Sequence, residues 1–197
     1  MTKFLLIRHA LTDSVGKRLS GRTTGLSLNA EGKKQAQQLA SGLSGLPVSA
    51  IYSSPLERAL ETAATLEKSF NLKCIPSNDF LEIDFGEWTN LSFDELNNNL
   101  TFRRFNSFRS CTRIPGGEIM TEAQQRIVRG IEKLSAAHPN ETVAVISHSD
   151  MIKAAIAFYA GIPLDLFQRI EISPASVSII EIFDDSVRIL LVNGTTS

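Results

Sequence analysis

Apolar runs alternate with helix-like periodicities from one end of the chain to the other, with no internal repeat and no low-complexity tract. That alternation predicts an α/β fold: a three-layer α/β/α sandwich around a mostly parallel central sheet. Lys3–Ile7 reads as a buried strand, followed by a Gly/Ser/Thr-rich loop from Thr12 to Ser27. A helix is predicted from Asn29, a good N-cap, because Ala36, Leu39, Ala40 and Leu43 share one face, and Gly45 and Pro47 close it. Ser49–Tyr52 is a short second strand. The next helix is predicted to start with Ser54 as cap, Pro55 at the first position and Glu57 completing a capping box, with Leu56, Ala59, Leu60, Ala63 and Leu66 as its buried stripe.

Leu72–Ile75 is a third short strand, after which regularity is lost. Residues at about 87–117 combine Asn/Ser-rich stretches, several Phe, four Arg and the Pro115-Gly116-Gly117 breaker, and read as an insertion or cap over one end of the sheet. A helix over Met120–Ala136 then leads to Thr142–Ser147, whose continuous apolar run marks the centre of a sheet. A helix over Asp150–Tyr159 ends at Gly161 and Pro163, and Val177–Ile182 and Val187–Val192, joined at Asp184-Asp185-Ser186, read as a terminal hairpin. Residues 1–197 are thus expected to form one domain carrying that cap.

Composition narrows the function classes. The chain has 197 residues with 20 Lys+Arg against 21 Asp+Glu, so no global field draws it to nucleic acid or to an anionic membrane. The apolar run Phe4–Ile7 ends at Arg8, too short for a signal-peptide core or a membrane span, so the expected location is the cytoplasm. Cys74 and Cys111 stand far apart without C-x-x-C spacing, which fits a reducing compartment and supplies no metal framework.

Three predicted strand ends carry unusual residues: Arg8-His9, Ser53-Ser54 leading to Arg58, and His148. Ligands of open α/β sheets bind outside the carboxyl ends of the strands, so these side chains are expected to converge. The third histidine, His138, precedes Pro139 at a helix end and reads as a surface residue. Guanidinium groups beside imidazoles repel a metal cation and grip phosphate through forked, charge-assisted hydrogen bonds. Neutral imidazole is also a competent nucleophile toward phosphorus. Leu81–Gly86 adds two acids, Glu82 and Asp84, on one side of an alternating chain, and a carboxyl beside a phosphate dianion stays protonated for general acid work.

The ordered blocks Leu6-Ile7-Arg8-His9, Ser53 to Ala59 with Glu61-Thr62-Ala63, Leu81-Glu82 with Phe85-Gly86, Pro115-Gly116-Gly117-Glu118 and Val145-Ile146-Ser147-His148 resemble the histidine phosphatase superfamily, whose members are phosphoglycerate mutase-like in fold. Gly21–Gly25, Leu164–Ile170 and Pro174–Ser178 further resemble a small bacterial branch of it. The resemblance implies His9 as a nucleophile that becomes phosphohistidine, Arg8, Arg58 and His148 as holders of the phosphoryl oxygens, and Glu82 as proton donor and then water activator. Thr12, Gly21 and Ser149 are expected to line the substrate pocket. Neither a metal nor an organic cofactor is implied, and the expected partner is a small phosphorylated metabolite, handled by a monomer or homodimer without nucleic acid or membrane.

Three positions depart from the family pattern: Ala10 replaces the Gly of R-H-G, Val15 stands where mutases carry an Asn, and Ser149-Asp150 follows His148 where Gly-Asn or Gly-Asp is usual. The expected activity is that of a metal-independent phosphomonoesterase. The alternatives are a phosphoglycerate mutase-type phosphotransferase and a non-catalytic phospholigand-binding module. Arg103, Arg104, Arg109 and Arg113 with Phe102, Phe105 and Phe108 either form a basic rim with an apolar wall around the pocket or merely dock the insertion on the domain.

Overall fold

In the computed structural model, which describes residues 1–195, six strands form one sheet in the order β3-β2-β4-β1-β5-β6. The strands are β1 (Thr2–Arg8), β2 (Val48–Ser53), β3 (Cys74–Pro76), β4 (Thr142–Ser147), β5 (Val177–Ile182) and β6 (Val187–Gly194). β1, β4, β2 and β3 run parallel, whereas β5 and β6 add an antiparallel hairpin at the β1 side. The sheet is therefore mostly parallel, as the alternation of elements predicts.

Strand alternation explains the layers. Phe4 and Leu6 of β1, with Val143 and Val145 of β4, point into one core, while Leu5, Ile7, Ala144 and Ile146 point into the other. On the second face lie α1 (Ala30–Leu43) and α2 (Glu57–Phe70), through Ala36, Leu39, Ala59, Ala63 and Leu66. Asn29 caps α1 by accepting the Gly32 N–H at 2.8 Å.

The first face is covered from further along the chain. Between β3 and β4, α3 (Phe93–Asn97) and α4 (Leu100–Ser107) precede α5 (Met120–Ala137), and α6 (Ser149–Tyr159) follows β4. α5 and α6 bury Met120, Ile127, Ile131, Met151 and Ile152 against the sheet. α4 presents Phe102 and Phe105 to Trp88, with ring centroids 5.3 and 5.5 Å away.

The helix after β2 differs from expectation. α2 begins at Glu57 with Leu56 in the N-cap position, so Ser54 and Pro55 precede the helix and Leu60 is half-buried. The Ser54 hydroxyl has a stronger claim on it, as the site shows. α6 starts one residue before the expected Asp150, and β6 runs two residues past the expected Val192. The segment at about 87–117 also contains two short helices that its Asn-rich composition hides.

Candidate active site

The parallel strands deliver the site. His9 N–H donates to the Ser147 carbonyl and Ser54 N–H to the Ile146 carbonyl, both at 2.9 Å, so the chain leaves β1, β4 and β2 still in register. His9, His148 and Ser54 thereby lie together at the carboxyl end of the sheet, where the topology places a ligand crevice.

His9 is 5% exposed, and its Nδ1 lies 2.8 Å from the Ala10 carbonyl. A carbonyl only accepts, so Nδ1 carries the proton and Nε2 keeps the lone pair. Burial, then the charges of Arg58 and Arg8, push the His9 pKa down to about 3. Ala10 is not among the residues with positive φ, and its N–H donates to the Thr62 hydroxyl at 3.0 Å. The alanine therefore fits beside His9 without the freedom of a glycine.

Arg58, in the first turn of α2, is buried and clamped: Nη2 donates to the Gly21 carbonyl at 2.7 Å and to His148 Nδ1 at 3.3 Å. His148 then presents Nε2–H to the Ser54 hydroxyl at 2.9 Å. This bond explains why Ser54 does not cap α2. Burial first, then Arg58, holds His148 well below the ordinary histidine range. Arg8 donates Nη1 to the Ile172 carbonyl at 2.6 Å, and its buried Nε has no partner.

Glu82 enters from the irregular stretch between 3-10 turns at Asn78–Phe80 and Gly86–Trp88. Its Oε2 lies 3.9 Å from His148 Nδ1, and its Oε1 accepts the Ile83 N–H at 2.9 Å. Burial, reinforced by the nearby Asp150 charge, raises its pKa to about 7 against the opposing pull of Arg58 and Arg8. A carboxyl so placed keeps its proton at a higher pH than an ordinary carboxylic acid does.

A cavity of about 450 Å³ opens on this cluster. Arg8, His9, Thr12, Gly21, Arg58, Glu82 and Ser149 line it, and His148 lies fully buried behind them. The Thr12 hydroxyl shares a 2.9 Å hydrogen bond with Ser14, and the Ser149 hydroxyl donates to the Ile172 carbonyl at 3.3 Å. Val15 also lines the wall, where it offers no polar donor. His138 stands apart and is half-buried rather than on the surface, because Glu141 takes its Nδ1 at 2.7 Å and Tyr52 its Nε2 at 3.0 Å.

The four insertion arginines separate by position. Arg103 and Arg104 face outward from α4 and Arg113 pairs with Glu122, so none of the three lines the cavity. Arg109 does line it, 4% exposed, stacked between the Phe105 and Phe167 rings with its carbon 4.4 and 4.7 Å from their centroids. Its Nη2 donates to Asn106 at 2.7 Å and its Nη1 to Asp150 at 3.4 Å, while its buried Nε has no partner. Phe102 and Phe105 both dock the insertion and reach the wall, whereas Phe108 is exposed. Asp150 and Gln168 also border the cavity. Gln168 lies in the Leu164–Ile170 block.

Guanidinium groups, two neutral imidazoles and one proton-bearing carboxyl at the mouth of a parallel sheet define an α/β enzyme that acts on phosphate esters. Residues 4–195 match the family model of the histidine phosphatase superfamily, branch 1. The chain belongs to that superfamily, among its phosphoric monoester hydrolases. Phosphoserine phosphatase 1 of Hydrogenobacter thermophilus is 32% identical over 200 residues, covering 99% of this chain and 93% of that protein. The structure of YhfR from Bacillus stearothermophilus superposes with a TM-score of 0.92 at 27% identity, over 100% of this chain and 98% of the other. A mutant phosphoserine phosphatase from Entamoeba histolytica in complex with phosphoserine gives a TM-score of 0.87 at 26% identity, over 98% of this chain and 97% of the other. Among the described residues no helix is long and apolar enough to cross a membrane.

Proposed function

We propose that this protein is a metal-independent phosphomonoesterase that hydrolyses a small phosphorylated metabolite through a phosphohistidine on His9. The observation that carries the reading is the tautomer of His9: its Nδ1–H is committed to the Ala10 carbonyl, which leaves Nε2 as a lone-pair nitrogen on a cavity-lining ring. Nε2 attacks phosphorus as the bond to the ester oxygen breaks, and the Glu82 carboxyl gives its proton to that oxygen. The resulting Glu82 carboxylate takes a proton from water, the hydroxide attacks phosphorus, and the N–P bond breaks to release phosphate. Arg8, Arg58 and His148 hold the equatorial oxygens, with Thr12, Gly21 and Ser149 around them.

The leaving group would lie against the insertion, so residues at about 87–117 are its cap within one domain. Arg109 is the insertion's cavity-lining cation, and it suits a leaving group bearing a carboxylate such as that of phosphoserine. The free thiols of Cys74 and Cys111 accord with a cytoplasmic location, and a monomer or homodimer is the assembly we infer.

The test is phosphate release over a panel of phosphorylated metabolites without added metal, for the wild type and His9→Ala, with acid-labile phosphate on the protein sought in quenched reactions. Release and protein-bound phosphate that both depend on His9 are expected. Turnover undiminished in His9→Ala would overturn the covalent route.

A further inference from the structure

Glu82 carries the most demanding proton transfer of the proposed reaction, yet it stands on neither a strand nor a helix. A carboxyl must be fixed to a fraction of an ångström to serve as a general acid, so something outside regular structure has to hold it. Two arginines from opposite sides do so through its backbone. Arg22 donates Nε to the Glu82 carbonyl at 2.9 Å, and Arg126 of α5 donates Nη2 to the same oxygen at 3.3 Å. Arg126 also donates Nη1 to the Leu81 carbonyl at 2.7 Å.

Both arginines meet on one residue. Glu118 takes Arg22 Nη2 on Oε1 at 2.9 Å and Arg126 Nη2 on Oε2 at 3.1 Å. The same Oε2 accepts the Asp84 N–H at 3.0 Å, and the Glu118 N–H donates to the Asp84 carbonyl at 3.0 Å. Glu118 thus grips the loop two residues beyond Glu82 directly and the Glu82 peptide through two guanidiniums. The turn that presents Glu118 is fitted to this loop: a Cβ on Gly117 would collide with the Asp84 carbonyl oxygen, and one on Gly86 with the Pro115 carbonyl oxygen. Glu87 N–H closes the contact on the Pro115 carbonyl at 2.9 Å. The Pro115-Gly116-Gly117-Glu118 block and Arg22, which the phosphate chemistry leaves unused, acquire a purpose here.

We propose that Glu118 is the positioning residue for the general acid, acting through Arg22 and Arg126 to hold the Glu82 carboxyl over the leaving oxygen. It does not line the cavity. The inference rests on the role of Glu82 proposed above, and it links the loop that carries Gly21, and so the Arg58 clamp, to the acid through Arg22.

The leaving group separates positioning from general structural damage. An alkyl phosphate must have its departing oxygen protonated, whereas p-nitrophenolate departs with little help, and kcat/KM reports the phosphorylation step for both. Glu118→Gln keeps the shape and removes the charge. Its kcat/KM for an alkyl phosphate is expected to fall by about 10- to 100-fold more than that for p-nitrophenyl phosphate, as misplacement of an acid predicts. Arg22→Met, which releases one of the two clamps from a more exposed site, should shift the same ratio in the same direction and covers the case that Glu118→Gln does not fold. Equal loss on both substrates in the folded variants would overturn the proposal. A wild-type enzyme whose turnover does not depend on His9 would instead overturn the reading on which it rests.

Discussion

Arg58 Nη2 lies 3.3 Å from His148 Nδ1, and because a guanidinium only donates, the imidazole accepts there and is neutral. Burial and Arg58 lower its pKa, so protonation waits for an anion. In the proposed reaction the phosphoryl oxygens would supply that anion, and His148 would take up the proton beside it.

Oxyanion binding should therefore take up a proton. Tungstate, whose charge is constant near neutrality, is expected to bind at pH 7 with uptake of up to about one proton, seen by calorimetry in buffers of different ionisation enthalpy. The sign follows from the direction of the shift: a depressed pKa rising on binding means more protons bound in the complex. His148→Gln should reduce the uptake. No uptake in the wild type would refute this account of His148.

The pH dependence of turnover follows from the other two groups. His9, with its pKa near 3, keeps its lone pair throughout the ordinary range, so it sets no acid limb near neutrality. Glu82 is pushed up to about 7, so the acid form that phosphorylation needs is present below that value and is lost above it. For an alkyl phosphate, kcat/KM should fall about tenfold per pH unit well above 7. Glu82→Gln should lower the rate by about 100-fold or more and flatten that alkaline limb. A limb that persists in the variant would assign it to another group.

Much of this was legible in the sequence because periodicity reports burial. The continuous apolar runs of β1 and β4, and the apolar stripes of α1 and α2, are direct consequences of a sheet covered on both faces. The positions of Arg8, His9, Arg58 and His148 follow from strand ends, a topological property. What pattern could not supply was competition between partners. Ser54 looks like a helix cap, but His148 claims its hydroxyl from 94 residues away. Arg109 reads like the other three arginines of the insertion, and only the turn after α4 and the stack on Phe105 and Phe167 bring it inside. His138 likewise depends on Tyr52, a neighbour that chain order does not reveal.

Arg109 offers a test of specificity. It lines the cavity and its contact to Asp150 is long at 3.4 Å, so its guanidinium has capacity for a second anion. Wild-type kcat/KM should favour O-phosphoserine over O-phosphoethanolamine, which lacks the carboxylate, by about 10-fold or more, a charge-assisted bond to a buried arginine being worth about 1.5–3 kcal/mol. Arg109→Met should bring the ratio toward one. An unchanged ratio would return the residue to a purely structural part, pinning the insertion between Phe105 and Phe167.

Two glycines separate backbone strain from collision. Gly25 and Gly86 both have positive φ, 73° and 46°, but a Cβ on Gly25 meets open space whereas one on Gly86 strikes the Pro115 carbonyl oxygen. Gly25→Ala should cost only the left-handed conformation, about 1–2 kcal/mol. Gly86→Ala adds the displacement of the turn that carries Glu118, so its cost should be about 2–4 kcal/mol by urea unfolding. Because that turn bears on the Glu82 loop, Gly86→Ala should also depress alkyl phosphate hydrolysis more than p-nitrophenyl phosphate hydrolysis, and Gly25→Ala should leave their ratio as it is. Equal stability losses in the two variants would show that the turn yields to the methyl group at little expense, and the close packing of Gly86 against Pro115 would then have no part in holding the acid.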